Sequence, residues 1–146
     1  MDELDQRIIS LMQMDGRLSN SSIARRLGVS EGTIRRRVSR LIQEDVISIA
    51  AVPNIEKLGN TTSAFIGLQV RPGKADDVAD ALAGLAEVHY VSVTTGSYDV
   101  FIWVGLESSE RLGELLHTSI AAIDGVQRTE TFVNLGIKKR TYGVPL

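Results

Sequence analysis

A chain of 146 residues can bury a genuine core, as one large domain or two small ones. Its apolar fraction of 43% and charged fraction of 23% are those of a soluble globular protein, and its longest apolar runs are far too short to span a bilayer. The absence of cysteine excludes a disulfide framework, a zinc finger and a thiol nucleophile, while a net charge of −2 conceals a strong local asymmetry.

The first predicted element is a helix over Asp2–Asp15. Leu4, Ile8, Leu11 and Met12 form its apolar stripe, and Asp2, Glu3 and Asp5 suit its positive N-terminal end. The acidic start, MDELDQRI, carries no signal-peptide pattern, so a cytoplasmic protein is expected. Residues 19–42, SNSSIARRLGVSEGTIRRRVSRLI, then read as two short helices joined by a tight turn. Apolar residues sit at Ile23, Ala24, Leu27, Val29, Ile34, Val38 and Leu41, and steps of three and four inside each helix put them on one buried face. Ala24 is small where the two helices would cross. Gly28 ends the first helix in the left-handed conformation that glycine tolerates best, and Ser30 caps the second through its hydroxyl. The outward positions are polar or basic: Arg25, Arg26, Glu31, Thr33, Arg35, Arg36, Arg37 and Arg40. This is the shape of a helix-turn-helix, whose second helix enters the DNA major groove. Seven arginines against one acid between Arg17 and Ile42 give +6, a patch that DNA attracts by counterion release. Arginine-rich helix faces are often merely solvated. The turn, the cap and the small crossing residue decide for DNA, and the small size with a bare helix-turn-helix points to a prokaryotic regulator.

Val46–Val52 (VISIAAV) reads as a short strand, ended by Pro53-Asn54, and Ile55–Gly59 leads out through another glycine. The expected organisation is a DNA-binding domain at 1–45, a strand and linker at 46–60, and a second domain at 61–146. The charge balance changes at the same place: residues 1–59 carry a net +1 and residues 60–146 a net −3, which keeps the second domain away from phosphates.

The second domain alternates regularly. Strands are expected at Thr62–Val70, Val88–Thr95, Asp99–Leu106 and Val126–Leu135, with helices at Lys74–Ala86 and Ser108–Ile123. Gly96-Ser97 turns the middle hairpin and Asp124-Gly125 stops the last helix. The order βαββαβ is the ferredoxin-like arrangement, so the fold class is α+β. Apolar residues occupy both parities of two strands: Phe65, Ile66, Leu68 and Val70, then Phe101, Ile102, Trp103 and Val104. A sheet with one wet face alternates more cleanly, so both faces are expected to be covered. No further helix is available, and a second copy of the sheet would supply the cover. The expectation is a homodimer with two recognition helices for a two-fold DNA site.

The whole chain resembles the Lrp/AsnC family, the feast/famine regulators. The resemblance is carried by LDQRIISLMQMDGRLSNSSIARRLGVSEGTIRRRVSRLIQEDVI in the head and by the loop Thr95-Gly96-Ser97-Tyr98-Asp99 in the second domain. It implies a transcription factor that binds double-stranded DNA, dimerises through its βαββαβ domain, assembles further to tetramers or octamers, and responds to a free amino acid or related metabolite. It assigns base-edge contacts to Glu31, Gly32, Thr33, Arg35 and Arg36, where arginine can pair with guanine and Glu31 can accept from cytosine. Arg25 and Ser30 join the DNA-binding set. Arg37 and Arg40 would hold phosphates, with a salt link inside the head as the alternative for Arg37. The effector site would centre on Thr95, Gly96, Ser97, Tyr98 and Asp99, with Thr129 and Thr131 from the last strand. Glycine would free backbone amides for a carboxylate, and Asp99 would hold an ammonium. Without the resemblance the same loop is simply a hairpin turn with an aspartate cap.

Two residues depart from the family pattern. Asp45 stands where glycine is usual after the recognition helix, and Ser22 stands where glutamate commonly completes a capping box with Ser19. Two alternatives share the fold: a tetrapyrrole decarboxylase-like enzyme, and a stand-alone amino-acid-binding module. His89 and His117 are isolated in the sequence, and no HExxH, P-loop or nucleophile elbow is present. No catalytic residue, metal or cofactor is therefore expected.

Overall fold

The computed structural model describes residues 1–59 and 62–139. They form two compact units, Met1–Val52 and Pro53–Lys138, a division that falls inside the expected linker at 46–60. Residues 140–146 of the expected second domain lie outside the described residues.

The head consists of α1 (Glu3–Met14), α2 (Asn20–Leu27) and α3 (Glu31–Gln43). Their shared core is Ile8, Ile9, Ile23, Ala24, Ile34 and Leu41, with Leu4, Leu11, Met12, Leu27, Val29 and Val38 packed around it. Each boundary has a chemical cause. Asp2 caps α1 reciprocally with Asp5, each carboxylate accepting the other residue's backbone N–H at 2.9 and 3.0 Å. Ser19 caps α2 by accepting from the Ser22 N–H, and its hydroxyl bonds that of Ser22, so the glutamate arm of a capping box is replaced by a weaker contact. Gly28, at φ 70°, closes α2, and Val29 N–H reaches back to the Ala24 carbonyl.

α3 ends in the same kind of closure with a less suitable residue. Asp45 has φ 54°, the one positive value outside glycine among the described residues. Its N–H reaches the Ile42 carbonyl, and that of Val46 reaches Leu41 at 2.9 Å, completing a Schellman motif. Asp45→Gly relieves the left-handed strain, and an increase of about 1 kcal/mol in head stability is expected by denaturant titration.

The second unit is a four-stranded antiparallel sheet, ordered β2-β3-β1-β4, built from β1 (Thr62–Val70), β2 (Val88–Val93), β3 (Val100–Leu106) and β4 (Val126–Val133). Helix α4 (Ala75–Ala83) and helix α5 (Ser109–Glu114) complete the βαββαβ order. Ala64, Ile66, Leu68 and Val70 of β1 and Val100, Ile102 and Val104 of β3 pack against Val78 and Leu82 of α4 and Leu112 of α5. The helices therefore cover one face only. On the other face Phe65, Tyr90 and Phe132 remain 46%, 57% and 43% exposed.

Three expectations are corrected. The strand at Val46–Val52 is not formed: the segment is irregular, with Val46, Ile49 and Val52 exposed. Apolar β-branched composition favours extension, but a strand needs a ladder partner, and no segment among the described residues pairs with it. The last helix does not run as one α-helix from Ser108 to Ile123. It is α-helical over Ser109–Glu114 and π-helical over Leu115–Ile120, which keeps Leu115 and Ile120 both in the core. The hairpin strands stop at Val93 and start at Val100, leaving Thr94–Asp99 as a loop.

Candidate DNA interface and effector loop

The first turn of α3 is fixed by Ser30. Its hydroxyl accepts from the Thr33 N–H at 3.2 Å and pairs with the Thr33 hydroxyl at 2.8 Å. Glu31, Gly32, Arg35 and Arg36 are exposed, as are Arg25 and Arg26 on α2. Arg35 Nη2 donates to Glu31 Oε1 at 2.9 Å, one turn away. Arg25, Arg26 and Arg36 make no ion pair among the described residues.

Arg37 and Arg40 are placed differently. Asp5 is 1% exposed, and its carboxylate is shared between them: Oδ1 accepts from Arg37 Nη1 at 2.9 Å and Oδ2 from Arg40 Nη2 at 2.6 Å. Arg37 also donates to Asp2 at 2.6 Å. Both arginines thus clamp α3 to the N-terminus of α1, and the salt link anticipated for Arg37 is formed. The Arg37 hydrogen bond, aided by the Asp5 N–H, holds the Asp2 carboxyl down at about 2. Burial works to raise the Asp5 carboxyl, but the Asp2 N–H and the two guanidiniums outweigh it, and the net displacement is downward. Hydrogen bonds to Asp2 and Asp5 raise Arg37 in return.

In the second unit the loop at Thr94–Asp99 is closed by Thr94, whose N–H reaches the Asp99 carbonyl and whose hydroxyl donates to the Tyr98 carbonyl, both at 2.8 Å. Gly96 takes φ 107°, a conformation closed to most side chains, and Thr95, Gly96 and Ser97 are exposed. Asp99 anchors the loop to β1: its N–H donates to the Leu68 carbonyl at 2.9 Å and its Oδ2 accepts the Val70 N–H at 2.8 Å. Gln69 Nε2 donates to the Ser97 carbonyl at 2.9 Å. The Tyr98 ring lies on Gly67, where an added Cβ would stand 2.7 Å from its Cγ. Its edges meet Phe101 and Phe132 at centroid distances of 5.3 and 6.3 Å, and its hydroxyl donates to Glu130.

The structure brings Thr95–Asp99 together but separates them from the two threonines. Thr131 and Thr129 are the register partners of Ile66 and Leu68, so they share the helix-covered face, whereas Tyr98 lies on the open face above Gly67. Gly67, Gln69 and Glu130 complete the loop's surroundings and were not read from the sequence. Only the strand register places them there. His89 lies 5.5 Å from Trp103, centroid to centroid, and His117 is exposed on the π-helical turn. No helix among the described residues is long and apolar enough to cross a membrane.

The AsnC-type helix-turn-helix domain matches residues 1–42, and the Lrp/AsnC ligand binding domain matches residues 63–144. An uncharacterised HTH-type transcriptional regulator of Pyrococcus abyssi is 41% identical over 143 residues, covering 97% of this chain and 90% of the relative. The structure of E. coli AsnC superposes with a TM-score of 0.88 at 30% identity, over 97% of each chain. A transcriptional regulator of Neisseria meningitidis, solved with L-Met, superposes with a TM-score of 0.90 over 99% of this chain and 96% of that one; at 24% identity this is a likeness of fold. A helix-turn-helix head with a ferredoxin-like ligand-binding domain defines a DNA-binding transcriptional regulator, not an enzyme. The chain belongs to the Lrp/AsnC family.

Proposed function

We propose that this regulator binds a two-fold operator as a homodimer, and that a free amino acid alters its DNA affinity or its assembly into tetramers or octamers. The observation that carries the DNA half is the exposed first turn of α3, with Ser30 capping it and Glu31, Gly32, Thr33, Arg35 and Arg36 beside the cap. These five meet base edges, and Arg25 meets phosphate. Arg37 and Arg40 hold α3 in place, since their guanidiniums are already committed to Asp5.

The effector reading rests on the Thr95–Asp99 loop. Gly96 opens the backbone there, and one Asp99 oxygen is left over after the Val70 N–H is satisfied. Thr129 and Thr131, on the other face, reach an effector only in a site shared with a second copy of the chain. A regulator of the same fold solved with L-Met supports an amino acid as the ligand class.

The test is binding of the purified protein to duplex DNA from upstream of its own gene, at fixed salt, with and without a pool of common amino acids. Tight binding that shifts with the pool is expected, and Arg25→Ala lowers the salt slope by about one. Absence of sequence-preferring binding sinks the operator reading, and a pool with no effect sinks the amino-acid reading.

The dimer is tested separately. Phe65 lies in the middle of the open face, paired with Trp103 on one side and Phe132 on the other. Phe65→Lys puts a charge where a second sheet would seat, and sedimentation is expected to show monomers at concentrations where the parent is a dimer. An unchanged sedimentation coefficient sinks the face-to-face arrangement.

A further inference from the structure

We infer that the first turn of α3 is a preorganised guanine reader in which Glu31 positions Arg35 and Gly32 gives the DNA room to approach. The inference rests on the reading of α3 as the recognition helix and adds how it discriminates. Two independent observations carry it.

The first is the ion pair. Arg35 Nη2 meets Glu31 Oε1 at 2.9 Å on the exposed side of the helix. On its own such an exposed i,i+4 pair adds little to stability. Its consequence is conformational. A long arginine held by a neighbouring carboxylate loses less freedom when it docks, and one N–H of five is spent on the contact. The remaining donors form the fork that matches guanine O6 and N7. The carboxylate also stands beside the base edges, where its other oxygen can accept from the N4 amine of the cytosine paired with that guanine, so its cost in attraction to phosphate is exchanged for selectivity.

The second is Gly32. It is the second residue of α3, in the first turn, where glycine has no helix-forming advantage over alanine. No feature of the head among the described residues requires it: its φ is not positive, and a Cβ built there would meet none of them within 4 Å. Glycine where the fold leaves open space, between Glu31 and Thr33 at the tip of α3, marks a clearance position. The surface that needs the clearance is the wall of the major groove.

Duplexes with a randomised core, bound at fixed salt and sequenced, test this. The parent is expected to enrich guanine at one position of each half-site. Glu31→Gln is expected to cut that preference tenfold or more while binding to unselected duplexes holds or rises. Arg35→Ala loses the same preference, and adding Glu31→Gln to it changes nothing further. Gly32→Ala is expected to melt at or above the parent's temperature and to bind the selected duplex at least tenfold more weakly. Guanine enrichment that survives Glu31→Gln, or full affinity in Gly32→Ala, overturns the inference. If Arg35→Ala and Arg36→Ala both select the parent's sequences, the assignment of α3 itself fails. If Arg35→Ala alone loses guanine, the inference fails and the reading of α3 as the recognition helix stands.

Discussion

Asp5→Ala is expected to lower the stability of the head by about 3 kcal/mol, the largest effect of any single substitution there. One carboxylate, 1% exposed, accepts from Arg37, Arg40 and the Asp2 backbone N–H. Removing it leaves two guanidiniums facing each other without their shared counter-charge, and frees an N–H at the start of α1. The cost stays near the lower end for a buried pair because Arg37 keeps Asp2 and both arginines reach solvent in part. Far-UV circular dichroism during urea unfolding reads it, since the single tryptophan, Trp103, belongs to the other unit. The same groups set the acid limit. Asp2 and Asp5 are depressed in the folded head, so the unfolded chain binds more protons as pH falls below the ordinary carboxylate range near 4. Their contribution is complete above that range and is lost as pH drops toward about 2, where Asp2 titrates. A head that unfolds at the same urea concentration with and without Asp5 contradicts the clamp.

The features read correctly in the sequence were those with local causes. Ser19 and Ser30 cap the helices they precede because a hydroxyl and a nearby N–H suffice. Gly28 marks a left-handed closure for the same reason, and Asp45 could be singled out because it takes the place of such a glycine. The ferredoxin-like arrangement followed from the βαββαβ order of the elements, which admits few antiparallel sheets. Non-local features were not legible. The partners of Arg37 and Arg40 lie more than thirty residues earlier, and nothing local distinguishes an arginine aimed at phosphate from one aimed at Asp5. Val46–Val52 had the composition of a strand, yet pairing is a property of two segments.

The effector loop shows the same boundary. Its glycine turn is local, and the sequence indicated it. Which face Thr129 and Thr131 occupy depends on their pairing with Leu68 and Ile66. A one-residue change of register would move both to the other face, and the residues of β4 alone do not choose. Glu130 was invisible as a partner of Tyr98 for the same reason, because it comes within reach only through its pairing with Gly67.

That pairing supports the second large effect. Gly67→Ala is expected to destabilise the ligand-binding domain by about 2 kcal/mol. Alanine ordinarily improves on glycine inside a strand, so the expected sign is reversed by one contact. The new Cβ would stand 2.7 Å from Tyr98 Cγ and 2.9 Å from both neighbouring ring carbons. The ring cannot simply lift, because Phe101 and Phe132 meet it on either side and its hydroxyl is bound by Glu130. The strain must pass into the loop at Thr95–Asp99 or into β1. Tyr98→Ala removes the obstacle, and in that background Gly67→Ala should become neutral or stabilising. Urea unfolding of the four variants, at one protein concentration and read by Trp103 fluorescence, measures the coupling. Additive effects show that the Tyr98 ring does not need the glycine beneath it. A reversal of sign shows that this glycine is kept for the seat of the ring, and that the loop is positioned from below by β1 as well as by its own turn.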